Sequence, residues 1–314
     1  MSRFIQTGLT VTLLFVLALC LTGCSQSARI GLMFAPDNVS SQEVTLNVTK
    51  DFRFEQPVLN KLREEETSTV ITTMFDQQIV GVEDSGWAEA KITLTGLKVK
   101  VIKNNDVQVD YDSTQPNTQN NPLSKLLGQS YTIKLAPNGK VEPLNITTVK
   151  TAGIPGTEGK IARRMFETEE IVRRHETLAL PEEVATLKVG DEWSVIVPSP
   201  PGLLSSKSYK KTYTLESVND NHAVVKMNAE ESAVPAEGGT AGGGMGIFAK
   251  MLDNEDEYTG SMMLDLTTGQ VKSYDETLVS TYLAQEANPQ ATPDQGPDTL
   301  RIRFIQTIER KQIN

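Results

Sequence analysis

Residues 131–141 read YTIKLAPNGKV, and this stretch decides the fold class. Tyr131, Ile133 and Leu135 alternate with Thr132 and Lys134, which leaves one apolar and one polar face. A period of two is that of a β-strand with one side in a core and the other in water. The segment runs into Pro137-Asn138-Gly139-Lys140-Val141, and Asn-Gly after such an alternating run is a strong local signal for a hairpin turn. The same alternation recurs at Val44, Leu46 and Val48, at Ile92 and Leu94, and at Trp193, Val195 and Val197. It appears again at Met262, Leu264 and Leu266 and at Leu300, Ile302 and Phe304. Thr, Lys, Asp, Arg and Gln fill most intervening positions, as expected where an antiparallel sheet turns one face to water. After Gly96 the apolar phase moves to Leu97, Val99 and Val101, and a bulge at Gly96 accounts for the exchange of faces. The expected fold is mainly β with one central helix, a β-rich α+β protein whose curved antiparallel sheets come from two similar β-units.

Only Lys160–Thr177 has a helical period: Ile161, Met165, Thr168, Val172 and His175 share one stripe, which Phe166 widens. Glu169/Arg173 and Glu170/Arg174 stand at i,i+4 in the favourable order, and Pro181 closes the segment. On either side the chain repeats itself. Val82–Ala88 turns into a strand over Glu89–Leu94, and Val218–Ala223 turns into one over Val224–Ala229. Leu123–Leu127 precedes the hairpin at Pro137–Val141, and Ile247–Leu252 precedes another turning at Thr268–Val271. Hairpins with Asn, Asp and Gly turns are common, so coincidence is the competing account of the repeat. The implied organisation is a leader over 1–23, a tether over 24–29, a first β-unit over 30–150, a helical linker over 151–188 and a second β-unit over 189–312. In a second form of this reading the two units share one domain. Polar, Pro-bearing loops at Ser113–Pro122 and Pro289–Pro297 and a Gly-rich stretch at 235–246 interrupt the strands.

The first 24 residues, MSRFIQTGLTVTLLFVLALCLTGC, carry a basic Arg3 and an apolar run over 9–22, too short to span a bilayer and suited to a signal peptide. Leu21-Thr22-Gly23-Cys24 resembles the bacterial lipobox, which implies cleavage before Cys24 and a diacylglyceryl group on its sulfur. Cys20 would be discarded with the leader, which leaves no partner for a disulfide within the mature chain. The expected address is the cell envelope, with the membrane held through lipid (palmitate and related acyl chains) on Cys24. Ser25 follows, and by resemblance to Gram-negative lipoproteins this implies the periplasmic face of the outer membrane, or the cell surface.

Three further stretches carry a family likeness: Asn121-Pro122-Leu123 through Lys140-Val141, Leu180-Pro181-Glu182-Glu183 through Glu192-Trp193, and Ser261 through Val271. With them the chain resembles a group of uncharacterised bacterial secreted proteins and lipoproteins built around a domain of unknown function. The likeness covers most of residues 30–312 and consists of turn and strand features. It implies fold and location, and no activity.

Composition narrows the chemistry. The 314 residues hold 30 Lys+Arg against 40 Asp+Glu, a net charge of −10, which argues against nucleic acid as a partner. Two histidines and two cysteines leave too few ligands for a histidine- or thiolate-rich metal site, and no cofactor motif is present. No G-x-S-x-G occurs. His175 reads as a packing residue on the helical stripe, and His222 as the tip of a turn. Asp253–Glu257 lacks the spacing of an EF-hand loop and reads as solvated charge beside the Gly-rich stretch. Trp87 and Trp193 read as packing or sheet-edge residues. Leu123–Leu127 and Ile247–Leu252 are either short helices lidding the core or flaps over an apolar cavity. On the second view Leu126, Leu127, Phe248, Met251 and Leu252 are the ligand-binding candidates. The leading expectation is a non-enzymatic, membrane-anchored envelope protein that presents a β-rich domain to a protein or envelope component. The alternatives are a carrier for a lipid or other apolar ligand and a hydrolase using Glu64–Glu66 or Glu182–Glu183.

Overall fold

The structure, a computed structural model, describes residues 26–116, 118–146, 149–204, 207–236, 252–290, 292 and 295–313. The alternating segments form strands. The first part of the chain contributes β1 (Ser27–Ile30), β2 (Val39–Gln56), β3 (Lys61–Val82), β4 (Ala88–Lys103), β5 (Asp106–Asp112), β6 (Ser130–Leu135) and β7 (Val141–Asn145). Two helices follow, α1 (Gly156–Met165) and α2 (Thr168–His175). The second part contributes β8 (Ala185–Lys188), β9 (Glu192–Pro198), β10 (Ser208–Asn219), β11 (His222–Ser232), β12 (Asp253–Asp265), β13 (Gln270–Glu286) and β14 (Asp298–Ile313). β1 and β8 form a two-stranded sheet. All other strands join one open 12-stranded antiparallel sheet in the order β7-β6-β4-β3-β2-β14-β13-β12-β11-β10-β9, with β5 also on β4. The fold is β-rich α+β, as the alternation implies.

The opening stretch becomes β6, its turn and β7. Pro137, Asn138 and Gly139 form a three-residue loop in which Gly139 alone takes positive φ, at 82°, and its N–H donates to the Ala136 carbonyl. The Gly139 carbonyl also accepts from the Thr177 N–H at 3.0 Å, so the hairpin is pinned to the segment after α2. The bulge at Gly96 is present. Gly96 stands opposite Met74 and Leu94 opposite Phe75, which leaves Thr95 as the extra residue, so Leu94 and Leu97 both reach the core. Two hairpins also share a pattern. β3–β4 turns through Gly86 and β10–β11 through Asp220-Asn221, all at positive φ, and β6 or β12 then adds antiparallel to the outer strand.

The expected single helix over Lys160–Thr177 is two. Phe166 ends α1 and Glu167 is extended before α2 begins. The break lets Met165 join the cluster around Leu94, Leu97 and Tyr111 while Ile171 enters another with Phe75, Ile92 and Ile133. One straight helix does not place both there. The Arg174 Nη2 donates to the Met165 carbonyl at 2.5 Å and replaces a bond lost at the break. The expected Glu170/Arg174 pair is therefore absent, and Glu170 instead meets Arg173 at 3.1 Å and Arg164 at 3.3 Å.

Segment 156–180 lies across one face of the sheet like a strap. Ala162 and Met165 pack on β4 and β5, Ile171 on β3, β4 and β6, and Ala179 and Leu180 on the cluster built from β9 to β13. Midway, Arg310 on β14 donates to the carbonyls of Arg174, His175 and Glu176 and to the Thr177 hydroxyl, which ties strap to sheet.

Candidate functional site

The strap leaves part of the sheet face open. Leu46, Val48 and Lys50 of β2 and Thr67 and Thr69 of β3 form the floor of a groove of about 650 Å³. Arg164, Glu167, Glu169, Glu170 and Arg173 of the helical segment form one wall, and Pro201-Gly202 from the β9–β10 loop stands at the far end. The floor residues other than Lys50 are half-buried, because the long central strands run on past the strap that covers their other portion. Lys50 ties floor to loop: its Nζ donates to the Gly202 carbonyl at 3.1 Å and lies 5.5 Å from the Phe304 ring centre. Burial, and then repulsion from Arg164, lowers its pKa.

Past Glu169, Arg173 and Pro201 the groove continues into an inner chamber of about 340 Å³. Its lining includes Val197, Lys211, Tyr258, Tyr274, Glu276, Gln306 and Arg310. Here the sheet face is polar. Glu276 is 5% and Lys211 3% exposed, and the Lys211 Nζ donates to Glu276 at 2.6 Å. The hydroxyls of Tyr258 and Tyr274 also donate to Glu276. Burial opposes ionisation of Glu276, but Lys211 and the two hydroxyls outweigh it and hold the carboxyl below its usual range. The two tyrosines are pushed the other way, first by burial and then by the Glu276 charge, so they remain hydroxyl donors. Glu176 borders the chamber, and burial raises its pKa against the pull of Lys140, Lys211 and Arg310. A floor with an apolar part at Leu46 and Val48, leading to a lined polar end, is a geometry for an elongated amphipathic ligand.

The residues singled out from sequence lie elsewhere. Leu126 is fully buried in a 3₁₀ turn (Pro122–Leu126), in the cluster with Tyr111 and Leu123, and Leu127 packs beside it. Leu123–Leu127 thus lids the core and lines neither groove nor chamber. Leu252 is half-buried just before β12, while Cys24, Phe248 and Met251 lie outside the described residues. His175 is 5% exposed; its Nε2 meets the Tyr131 hydroxyl at 2.6 Å, and its ring meets the Phe75 ring edge-on at 4.7 Å. Trp193 stacks on Tyr213 at 5.9 Å. Asp253–Glu257 is no loop but the start of β12, where Asp256 accepts from Lys207, Tyr209 and Ser280. Glu64–Glu66 lie in the outer part of β3, where Glu64 pairs with Arg53 and Glu65 with Arg63. Glu182 is exposed and stands 3.9 Å from Lys140. Among the described residues no group of His, Cys, Asp and Glu has the arrangement of a metal site.

No family model matches the chain, and no curated protein matches it. Distant likenesses to solved structures exist. A lipovitellin structure, described as concerning lipid–protein interactions, aligns over 90% of this chain at 11% identity with a TM-score of 0.46. This chain spans 25% of that lipovitellin chain. The outer membrane protein OprG of Pseudomonas aeruginosa aligns over 89% of this chain and 98% of its own, at 6% identity and a TM-score of 0.17. OccK7 of the same organism aligns over 88% and 99%, at 11% identity and 0.18. At these scores none establishes a shared fold, and the function is argued from the groove alone.

Proposed function

We propose that this chain is a lipid-anchored envelope protein that binds an amphipathic, largely apolar ligand along the open face of its sheet and does no chemistry on it. The observation that carries the reading is the half-buried apolar part of the groove floor, Leu46 and Val48, bounded by the strap and sharing Glu169, Arg173 and Pro201 with the inner chamber, which Ile308 lines. The volumes of about 650 and 340 Å³ fall in the range of small-molecule sites. Burying an acyl chain there is favourable by about 0.8 kcal/mol per CH₂.

The test is titration of the purified chain with a fluorescent fatty-acid analogue, together with mass spectrometry of what co-purifies. Saturable binding is expected, and Leu46→Arg, which puts a charge on the floor, should weaken it about tenfold or more with an unchanged melting temperature. Absence of saturable binding by the unaltered chain overturns the reading. Anchoring is tested separately: palmitate labelling in a bacterial host should be abolished by Cys24→Ser, and an unlabelled native chain removes the anchor from the proposal.

A further inference from the structure

The inner chamber contains more hydrogen-bond donors than the protein uses. Gln306 is 5% exposed, and among the described residues its side chain makes no hydrogen bond. The Arg310 residue is 7% exposed; Nη1 and Nη2 donate to the strap, and Nε, closed off from solvent, has no partner among the described residues. Its acceptors are three carbonyls and a hydroxyl, and among the described residues no carboxylate lies within ion-pair distance of it. Among the described residues Lys211 has three ammonium donors and one hydrogen-bond acceptor, Glu276, and its Nζ stands 4.7 Å from the Tyr258 ring centre. That single carboxylate is already shared with the Tyr258 and Tyr274 hydroxyls. A buried cation without a carboxylate at ion-pair distance, beside an amide that lines the chamber and makes no hydrogen bond among the described residues, offers an anion both charge and a donor.

We infer that the chamber is an oxyanion site, formed by Arg310, Lys211 and Gln306, that takes the carboxylate or phosphate head group of the amphiphile whose chain lies on the groove floor. This rests on the groove reading above for the chain, but not for the anion. Lys211 and Glu276 balance one another, so Arg310 supplies the net charge, Lys211 its remaining N–H donors, and the Gln306 amide a neutral donor that fixes orientation. Glu276 does not repel the guest, because Lys211 and two hydroxyls already hold its carboxylate. Glu176, whose ionisation is disfavoured by burial, and Glu169 at the entrance are the remaining acids that border the chamber.

The experiment is calorimetric titration of the full chain with three probes: oleate, oleyl alcohol and inorganic phosphate. Oleate is expected to bind about tenfold or more tightly than oleyl alcohol, and Gln306→Leu should bring the two to within about twofold. Among the described residues Gln306 makes no hydrogen bond, so that variant should keep its melting temperature. Arg310→Gln, which also loosens the strap, is read only alongside it. Equal affinity for oleate and oleyl alcohol, with no binding of phosphate, overturns the anion site and leaves the groove reading standing. Failure of both amphiphiles with phosphate still bound removes the groove and supports the anion site, assigning it to a free anion. Phosphate competing with oleate supports a shared head-group site.

Discussion

At the scale of single residues, the informative side chains are charged or polar groups at inward positions of apolar strands. Lys211 shares a face with Tyr209, Tyr213 and Leu215, Glu276 with Tyr274, Leu278 and Tyr282, and Gln306 and Arg310 with Phe304. Each breaks an otherwise apolar alternation, and that break is the signal in the sequence that marks the chamber. It says nothing of which break meets which, because the partners stand on β10, β13 and β14. Removing one member of the Lys211–Glu276 pair strands a buried charge, so Glu276→Gln should cost about 3–5 kcal/mol in chemical denaturation. The Lys211→Met, Glu276→Leu double variant should recover most of that loss, and a double variant worse than either single one refutes the account. His175 gives a pH dependence. Burial, reinforced by Arg174 and Arg310, holds its pKa well below 6.5, so the native imidazole stays neutral where the unfolded one takes up a proton. Its share of the stability is complete above that unfolded value and is lost as pH falls from 6.5 toward the native value, by at most about 1.4 kcal/mol per pH unit. Unfolding midpoints measured across this range should fall less steeply in His175→Gln.

Among the elements, the β6–β7 turn shows how local and distant demands coincide. Asn-Gly marks the hairpin in sequence, yet the Gly139 position is constrained twice, by φ of 82° and by the strap. A Cβ there would lie 2.5 Å from the Thr177 carbonyl oxygen. Gly139→Ala is therefore expected to destabilise by roughly 2–4 kcal/mol, more than an ordinary turn glycine, with the melting temperature as the measure. Gly190→Ala is the comparison: its φ is 95° but nothing lies within 4 Å of the new methyl, so it should cost less. The helical segment illustrates the opposite case. Its stripe from Ile161 to His175 is legible as amphipathic, but the break at Phe166-Glu167 is not, since it arises from two separate clusters that each demand a side chain. Likewise the acidic run at Asp253 looks solvated until β10 and β13 bring Lys207, Tyr209 and Ser280 against it.

Over the whole molecule, the open sheet is two meanders joined at its centre by the pairing of β2 with β14. β14 pairs with β2 over Thr299–Ile313 and with β13 on its other edge. Truncation before Asp298 removes a central strand, exposes two long edges and deletes Arg310, the tie to the strap. Such a chain should fail to give a cooperative unfolding transition or should aggregate, whereas removal of the short edge strand β9 should be tolerated better. A soluble, cooperatively folded truncation at 297 would contradict this view of the seam. The sequence by itself determined the strands with clear alternation, the Asn-Gly turn, the bulge beside Gly96 and the class of fold, because alternation and turn chemistry act over neighbouring residues. Only the tertiary structure decided that β2 meets β14, that the helical segment breaks and crosses the sheet, and that Lys211, Glu276, Gln306 and Arg310 line one chamber. These depend on pairings between residues up to hundreds of positions apart, which a period of two leaves open.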